Sequence, residues 1–160
     1  MIKEMEKQVL MTGDMFQSKA QTLVNAVNCV GVMGKGIALE FKNRFPEMHQ
    51  DYVHRCDLKK VKLGEPYIFK GSPLPYIINF PTKDHWKSSS RIQDIERGLE
   101  YLLTHYKEWE VTSLAVPALG CGNGGLEWSA IEPLIFKYVK LMNISAHVYA
   151  PYEINVAKNS

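Results

Sequence analysis

Residues 22–38 read Thr22-Leu23-Val24-Asn25-Ala26-Val27-Asn28-Cys29-Val30-Gly31-Val32-Met33-Gly34-Lys35-Gly36-Ile37-Ala38, and this stretch decides the fold. Its first part, 22–27, is almost wholly apolar, as a strand buried on both faces must be. Glycines 31, 34 and 36 then interrupt it, and from Gly36 the apolar residues Ile37, Ala38, Phe41 and Phe45 recur at helical spacing. Strand, glycine-rich turn and helix, in that order, make the front half of a βαβ unit. The same order returns later in the chain. Residues 111–116 form a strand ending at Pro117; next comes Gly120-Cys121-Gly122-Asn123-Gly124-Gly125, and after it a helix carrying Ile131, Leu134, Ile135, Tyr138 and Met142.

Working outward, residues 9–12, 67–69, 76–80 and 146–149 read as further strands, with a turn at Gly71-Ser72-Pro73. Pro46 ends the first helix and suits the first turn of a second, which carries Met48, Tyr52, Val53 and Cys56. A long helix over 92–106 presents Ile92, Ile95, Leu99, Leu102, Leu103 and Tyr106 as one stripe, with Ser90 as its expected N-cap. Alternation of this kind predicts an α/β sandwich with a largely parallel sheet. No repeat or linker divides the chain, so residues 1–160 are expected to form one domain.

Composition narrows the function. The 160 residues hold 19 Lys+Arg against 17 Asp+Glu, a net charge of +2, with 46% hydrophobic and 11% aromatic residues. Such a chain buries a core and is not disordered. A balance so near zero argues against coating nucleic acid by bulk charge, although a local basic groove stays compatible with it. Cys29, Cys56 and Cys121 are odd in number and form no Cys-x-x-Cys pair, so no metal site is expected and a reducing cytoplasmic compartment fits best. The charged N-terminus lacks a signal-peptide core, and no apolar run reaches the roughly 20 residues that span a bilayer; no membrane partner is expected.

The two glycine loops are where chemistry can sit. In α/β folds ligands bind beyond the carboxyl ends of strands, where helix N-termini present free N–H groups and glycine lets the backbone approach phosphate oxygens. Two such loops in one small domain suit a ligand containing pyrophosphate. Gly36 stands where a Walker A loop needs Ser or Thr, and after Gly34-Lys35-Gly36 the first loop lacks the third glycine of G-x-G-x-x-G, which argues against NAD-dependent hydride transfer.

Thr12-Gly13-Asp14, Val24-Asn25-Ala26-Val27-Asn28, Gly34-Lys35-Gly36-Ile37-Ala38 and Pro117-Ala118-Leu119-Gly120-Cys121-Gly122 together resemble a macrodomain, the ADP-ribose-binding fold. Asn79-Phe80-Pro81-Thr82-Lys83 and the run Gly120 to Trp128 are most similar to the DarG-type DNA ADP-ribosyl glycohydrolases, antitoxins that remove ADP-ribose placed on thymidine bases by a DarT toxin. The resemblance implies a three-layer α/β/α sandwich with a central mixed, largely parallel sheet, ADP-ribose as ligand and no cofactor. It implies ADP-ribosylated single-stranded DNA as substrate and a DarT-like toxin as counterpart. The chain is expected to act as a monomer. DarG-like proteins carry a further C-terminal region that contacts the toxin, and the 160 residues are expected to hold the glycohydrolase part alone.

The roles carried over are these. Asp14, with Met15 beside it, would accept the adenine amine, an acceptor-only task for an ionised carboxylate; after Gly13 it reads equally well as a turn cap. Asn25 and Asn28 would meet the distal ribose, and Met33, Gly34, Lys35, Gly36, Ile37 and Ala38 would wrap it. Gly120, Cys121, Gly122, Asn123, Gly124 and Gly125 would cradle the pyrophosphate, flanked by Leu119 and Leu126, with Cys121 a small filler and no nucleophile. Lys83, beside Thr82, is the expected catalytic residue. It would either attack the anomeric carbon as an amine or stabilise developing charge as an ammonium. Related macrodomains place an Asp in the second glycine loop; Asn123-Gly124-Gly125 has none, so His85 and Glu153 are the candidates for proton transfer. Trp86, Lys87 and Arg91 would contact DNA by stacking and phosphate pairing. Lys59-Lys60-Val61-Lys62 reads as a solvated loop.

Other enzymes and binders share this fold. The residues leave open a phosphatase acting on ADP-ribose-1″-phosphate, a hydrolase of acyl-linked ADP-ribose on proteins, and a module that binds ADP-ribose without turnover. A lysine at Lys83 favours catalysis over binding alone.

Overall fold

A computed structural model describes residues 7–151. In chain order its main elements are β1 (Gln8–Met11), β2 (Thr22–Asn28), α1 (Gly36–Arg44), α2 (Pro46–Asp57), β3 (Tyr67–Phe69), β4 (Tyr76–Lys83), α3 (Ile92–His105), β5 (Ser113–Val116), α4 (Trp128–Met142) and β6 (Ser145–Tyr149). The strands form one sheet in the order β1-β6-β5-β2-β4-β3. Every neighbouring pair is parallel except β3 with β4. The sheet is therefore mixed and largely parallel, as expected.

The period of two along each strand sorts its side chains into two cores. Leu23 and Val27 of β2 and Ile77 of β4 pack against Phe41 of α1 and Met48 and Tyr52 of α2. Val24, Ile78 and Phe80 face the other way, onto Ile95, Leu99 and Leu102 of α3 and Ile131, Ile135 and Val139 of α4. The result is three layers, α/β/α. Contact on the second face is close enough that a Cβ at Gly98 of α3 would strike the Phe80 ring. Among the described residues, no helix is long and apolar enough to cross a membrane.

Three local expectations need correction. The strand expected over 76–80 continues to Lys83, pairing with β2 as far as Asn28. The register slips there: Val27 lies opposite Pro81 and Asn28 opposite Lys83, so Thr82 is the extra residue of a bulge. A bulge accommodates a proline, which has no N–H to give the ladder, and re-aims the residues beyond it. Second, the strand expected from Val111 starts at Ser113, although Val111 is buried in the α3/α4 core. Third, Ser90 does not cap α3. Arg91 holds the N-cap position without a side-chain hydrogen bond, while the Ser90 N–H donates to the Gly124 carbonyl at 2.9 Å. Ser90 ties its loop to the second glycine loop, and its buried hydroxyl has no partner.

Candidate functional site

The parallel strands point their carboxyl ends the same way, and a cleft of about 870 Å³ opens there. Its volume falls within the roughly 300–1,000 Å³ of small-molecule sites. Each strand supplies part of the wall: the turn after β1 gives Gly13 to Phe16, β2 gives Ala26 to Asn28, and β4 gives Thr82 and Lys83. β5 leads to Pro117 and Ala118, and β6 to Tyr149, Ala150 and Pro151.

At one end Asp14 is exposed and lines the cleft. Its Oδ1 also accepts the Phe16 N–H at 2.9 Å, capping the short 3₁₀ turn Met15–Gln17, which is the turn-cap reading of this aspartate. Phe16 lines the cleft next to it, its ring 4.8 Å from that of Phe41.

The first glycine loop is held from below by Asn28. The Asn28 Nδ2 donates to the Val32 carbonyl at 2.7 Å, and Oδ1 accepts the Val30 N–H at 3.0 Å. The buried Tyr52 hydroxyl lies 2.8 Å from the same Oδ1 and 2.9 Å from the Asn28 carbonyl. Asn28 lines the cleft, but its amide is committed to the loop. Above it Gly34, Lys35, Gly36, Ile37 and Ala38 line the site, where the first N–H groups of α1 have no intrahelical partner. Met33 is instead buried in the α1/α2 core beneath.

Asn25 is displaced further from its expected role. It is fully buried, and its Nδ2 donates to Asn79 Oδ1 at 3.0 Å. Asn79 in turn donates to the Tyr67 hydroxyl at 3.0 Å. These three residues are register partners across β2, β4 and β3, so Asn25 begins a polar ladder within the sheet and does not line the cleft. It shares a face with Leu23 and Val27, which are both buried.

The second glycine loop needs left-handed backbone at Gly120 (φ +77°), Gly122 (+70°) and Gly125 (+82°). A Cβ at Gly120 would also collide with Leu126. Hydrogen bonds from Cys121 N–H to Ala118, Gly125 N–H to Gly122 and Leu126 N–H to Gly120 close the loop at 3.1, 3.0 and 2.9 Å. Gly120, Cys121, Gly122, Asn123 and Gly124 line the cleft. Leu119 lies in the α3/α4 core, Leu126 packs against that core, and Gly125 lies outside the lining. Burial and then Glu127 push the Cys121 thiol up to about 11, which keeps it protonated at neutral pH.

Lys83, the last residue of β4, lines the cleft and donates from Nζ to the Trp86 carbonyl at 3.1 Å. Partial burial, then the nearby cation of Lys35, hold its pKa below the ordinary lysine value. Trp86 lines the same rim and is 45% exposed. His85 does not line the cleft: its Nδ1 accepts the Lys87 N–H at 3.1 Å and its ring sits 5.2 Å from that of Trp86. Lys87 and Arg91 lie beyond the rim, with Lys87 Nζ 5.0 Å from the Trp86 ring centre and Arg91 Nε 3.9 Å from Asp94. Glu153 lies outside the described residues.

Phe16, Val32, Glu40 and the segment Tyr149-Ala150-Pro151 also line the cleft and escaped the sequence reading. The last was within reach, since the rule that ligands gather at strand ends applies to the final strand as to the others.

The family model "Macro domain" matches residues 24–135. A DNA ADP-ribosyl transferase–DNA ADP-ribosyl glycohydrolase fusion protein of Thermosipho africanus is 41% identical, over 95% of this chain and 44% of its own length. The structure of the macrodomain of Mycobacterium tuberculosis DarG superposes with a TM-score of 0.87 at 41% identity, covering 91% of this chain and 98% of that one. Thermosipho africanus DarTG in complex with ADP-ribose superposes with a TM-score of 0.89 at 42% identity, covering 95% of this chain and 43% of that one. The chain spans about two-fifths of the length of the curated glycohydrolase relatives it matches.

Proposed function

The chain belongs to the macro domain family, and on that premise we propose that it is a DNA ADP-ribosyl glycohydrolase that frees thymidine in single-stranded DNA from ADP-ribose. In this reading it acts as a cytoplasmic monomer and undoes the work of a DarT-like transferase. ADP-ribose, the ligand in the complex of a relative 42% identical, would lie along the cleft. Asp14 and Phe16 would receive the adenine, and the second glycine loop the pyrophosphate. The end of β4 would then adjoin the distal ribose.

The observation that carries the proposal is the position of Lys83. The bulge at Thr82 delivers this lysine to the cleft, where partial burial and Lys35 favour its free amine. A free amine can attack the anomeric carbon and displace the base; an ammonium can only stabilise the charge that develops. No acidic side chain stands in the second glycine loop to share the task.

The experiment is turnover of an oligonucleotide carrying ADP-ribosylated thymidine, wild type against Lys83→Ala, with released ADP-ribose quantified by chromatography. The variant should lose about 100-fold or more in rate and still bind ADP-ribose in calorimetry. Borohydride should trap a lysine adduct only if Lys83 is the nucleophile. Undiminished release by Lys83→Ala would defeat the assignment. Turnover by the wild type of only ADP-ribose-1″-phosphate or acyl-linked ADP-ribose would move the chain to another substrate class.

A further inference from the structure

The cleft accounts for Lys83 and Trp86 but leaves the cations beyond them without a task. The basic run Lys59-Lys60-Val61-Lys62 lies between α2 and β3. Because β3 is antiparallel to β4, with Tyr67 opposite Asn79, the chain enters β3 from the edge of the sheet where the cleft opens. Direct contacts join this loop to the start of α3. Arg97 donates to the Leu63 carbonyl at 3.0 Å and to Asp94 Oδ1 at 2.8 Å. Its guanidinium covers Gly64, where any Cβ would collide with it. Arg91 shares the same Asp94, at 3.9 Å.

Exposure decides what this surface presents. The Asp94 side chain is 10% exposed, whereas those of Arg91 and Arg97 are 70% and 57% exposed. The carboxylate is sunk beneath two guanidiniums, which face outward. Lys59, Lys60, Lys62 and Lys87 are exposed, and none takes part in an ion pair among the described residues. The exposed acids nearby, Asp57, Glu65 and Asp84, are outnumbered.

We propose that this strip, from Trp86 and Lys87 over Arg91 and Arg97 to Lys60 and Lys62, carries the single strand that flanks the modified nucleotide. It rests on the reading of the cleft as a DNA glycohydrolase site. Cations on phosphates fix the position of a strand without reading its sequence, and an exposed indole stacks on any base. A chain of near-neutral net charge thereby gains a local path for a polyanion.

The test compares Lys60→Gln/Lys62→Gln with wild type on two substrates: ADP-ribosylated thymidine as a nucleoside, and the same group within an oligonucleotide of about ten bases. Both positions are exposed, and a matching melting curve shows that the variant folds. On the oligonucleotide, kcat/KM should fall roughly ten-fold or more at low salt, and its logarithmic salt dependence should flatten by about 1.4. Turnover of the nucleoside should not change. Equal rates for variant and wild type on the oligonucleotide would overturn the strip, as would an equal loss on both substrates. If wild type turns over neither substrate, the glycohydrolase reading fails. The strip is then judged by anisotropy with unmodified single-stranded DNA, where the variant must still lose salt-dependent affinity for the proposal to stand.

Discussion

Asn28→Ala tests whether the first glycine loop is held from beneath. Asn28 makes a bond of 2.7 Å to the Val32 carbonyl and one of 3.0 Å from the Val30 N–H, and it lies 2.8 Å from the Tyr52 hydroxyl. Alanine removes all three. Val30 and Val32 are exposed, so water can replace their lost partners at about 1 kcal/mol each. Tyr52 is fully buried, but its hydroxyl retains the Asn28 carbonyl at 2.9 Å. The sum is about 2–3 kcal/mol, or a fall of roughly 4–12 °C in Tm for a domain of this size. Urea unfolding and thermal melts measure it. A double-mutant cycle with Tyr52→Phe should show a coupling of about 0.5–1 kcal/mol. If ADP-ribose must then reorder the loop, its affinity falls by roughly 10–100-fold in calorimetry. A variant that melts within a degree of wild type, with no coupling to Tyr52, would show that the loop is held by something else.

Gly124→Ala should destabilise the fold by about 1–3 kcal/mol and weaken ADP-ribose binding, because its Cβ meets the Ser90 hydroxyl. Ser90→Ala, which removes an unpartnered buried oxygen, should be neutral or stabilising, and Ser90→Gly should partly rescue Gly124→Ala in the same melts. If Lys83 reacts as an amine, single-turnover release should rise with pH through an inflection below the ordinary lysine value of about 10.4. Lys35→Gln removes a cation that depresses the Lys83 pKa, so the inflection should move to higher pH; an unmoved inflection would separate the two lysines.

What could be read in the sequence and what could not divide along one physical line. Features set by local chain geometry were legible: both glycine loops, the buried second strand, Pro46 in the first turn of α2 and Lys83 near a strand end. Side-chain direction was legible only in part. Asn25 reads as a ligand contact by its place in a motif, yet simple alternation puts it on the face of Leu23 and Val27, and burial is the consequence. The motif marked a strand that reaches the cleft, and the period of two separates Asn25, turned into the α1/α2 core, from Asn28, which lines the cleft. Ser90 fails for the opposite reason. Its position before a helix predicts a cap, but its backbone is claimed by Gly124, more than thirty positions away, and no local rule foresees such a claim. The basic run 59–62 is the same case at the surface. Alone it is a solvated loop, and Arg97, bonded to both Asp94 and Leu63, joins it to the start of α3, just after the loop that carries Trp86. Long-range hydrogen bonds thus turn separate stretches of sequence into one surface. The charge that nearly cancels over the whole chain is unevenly placed, with exposed cations standing beyond the rim of the cleft.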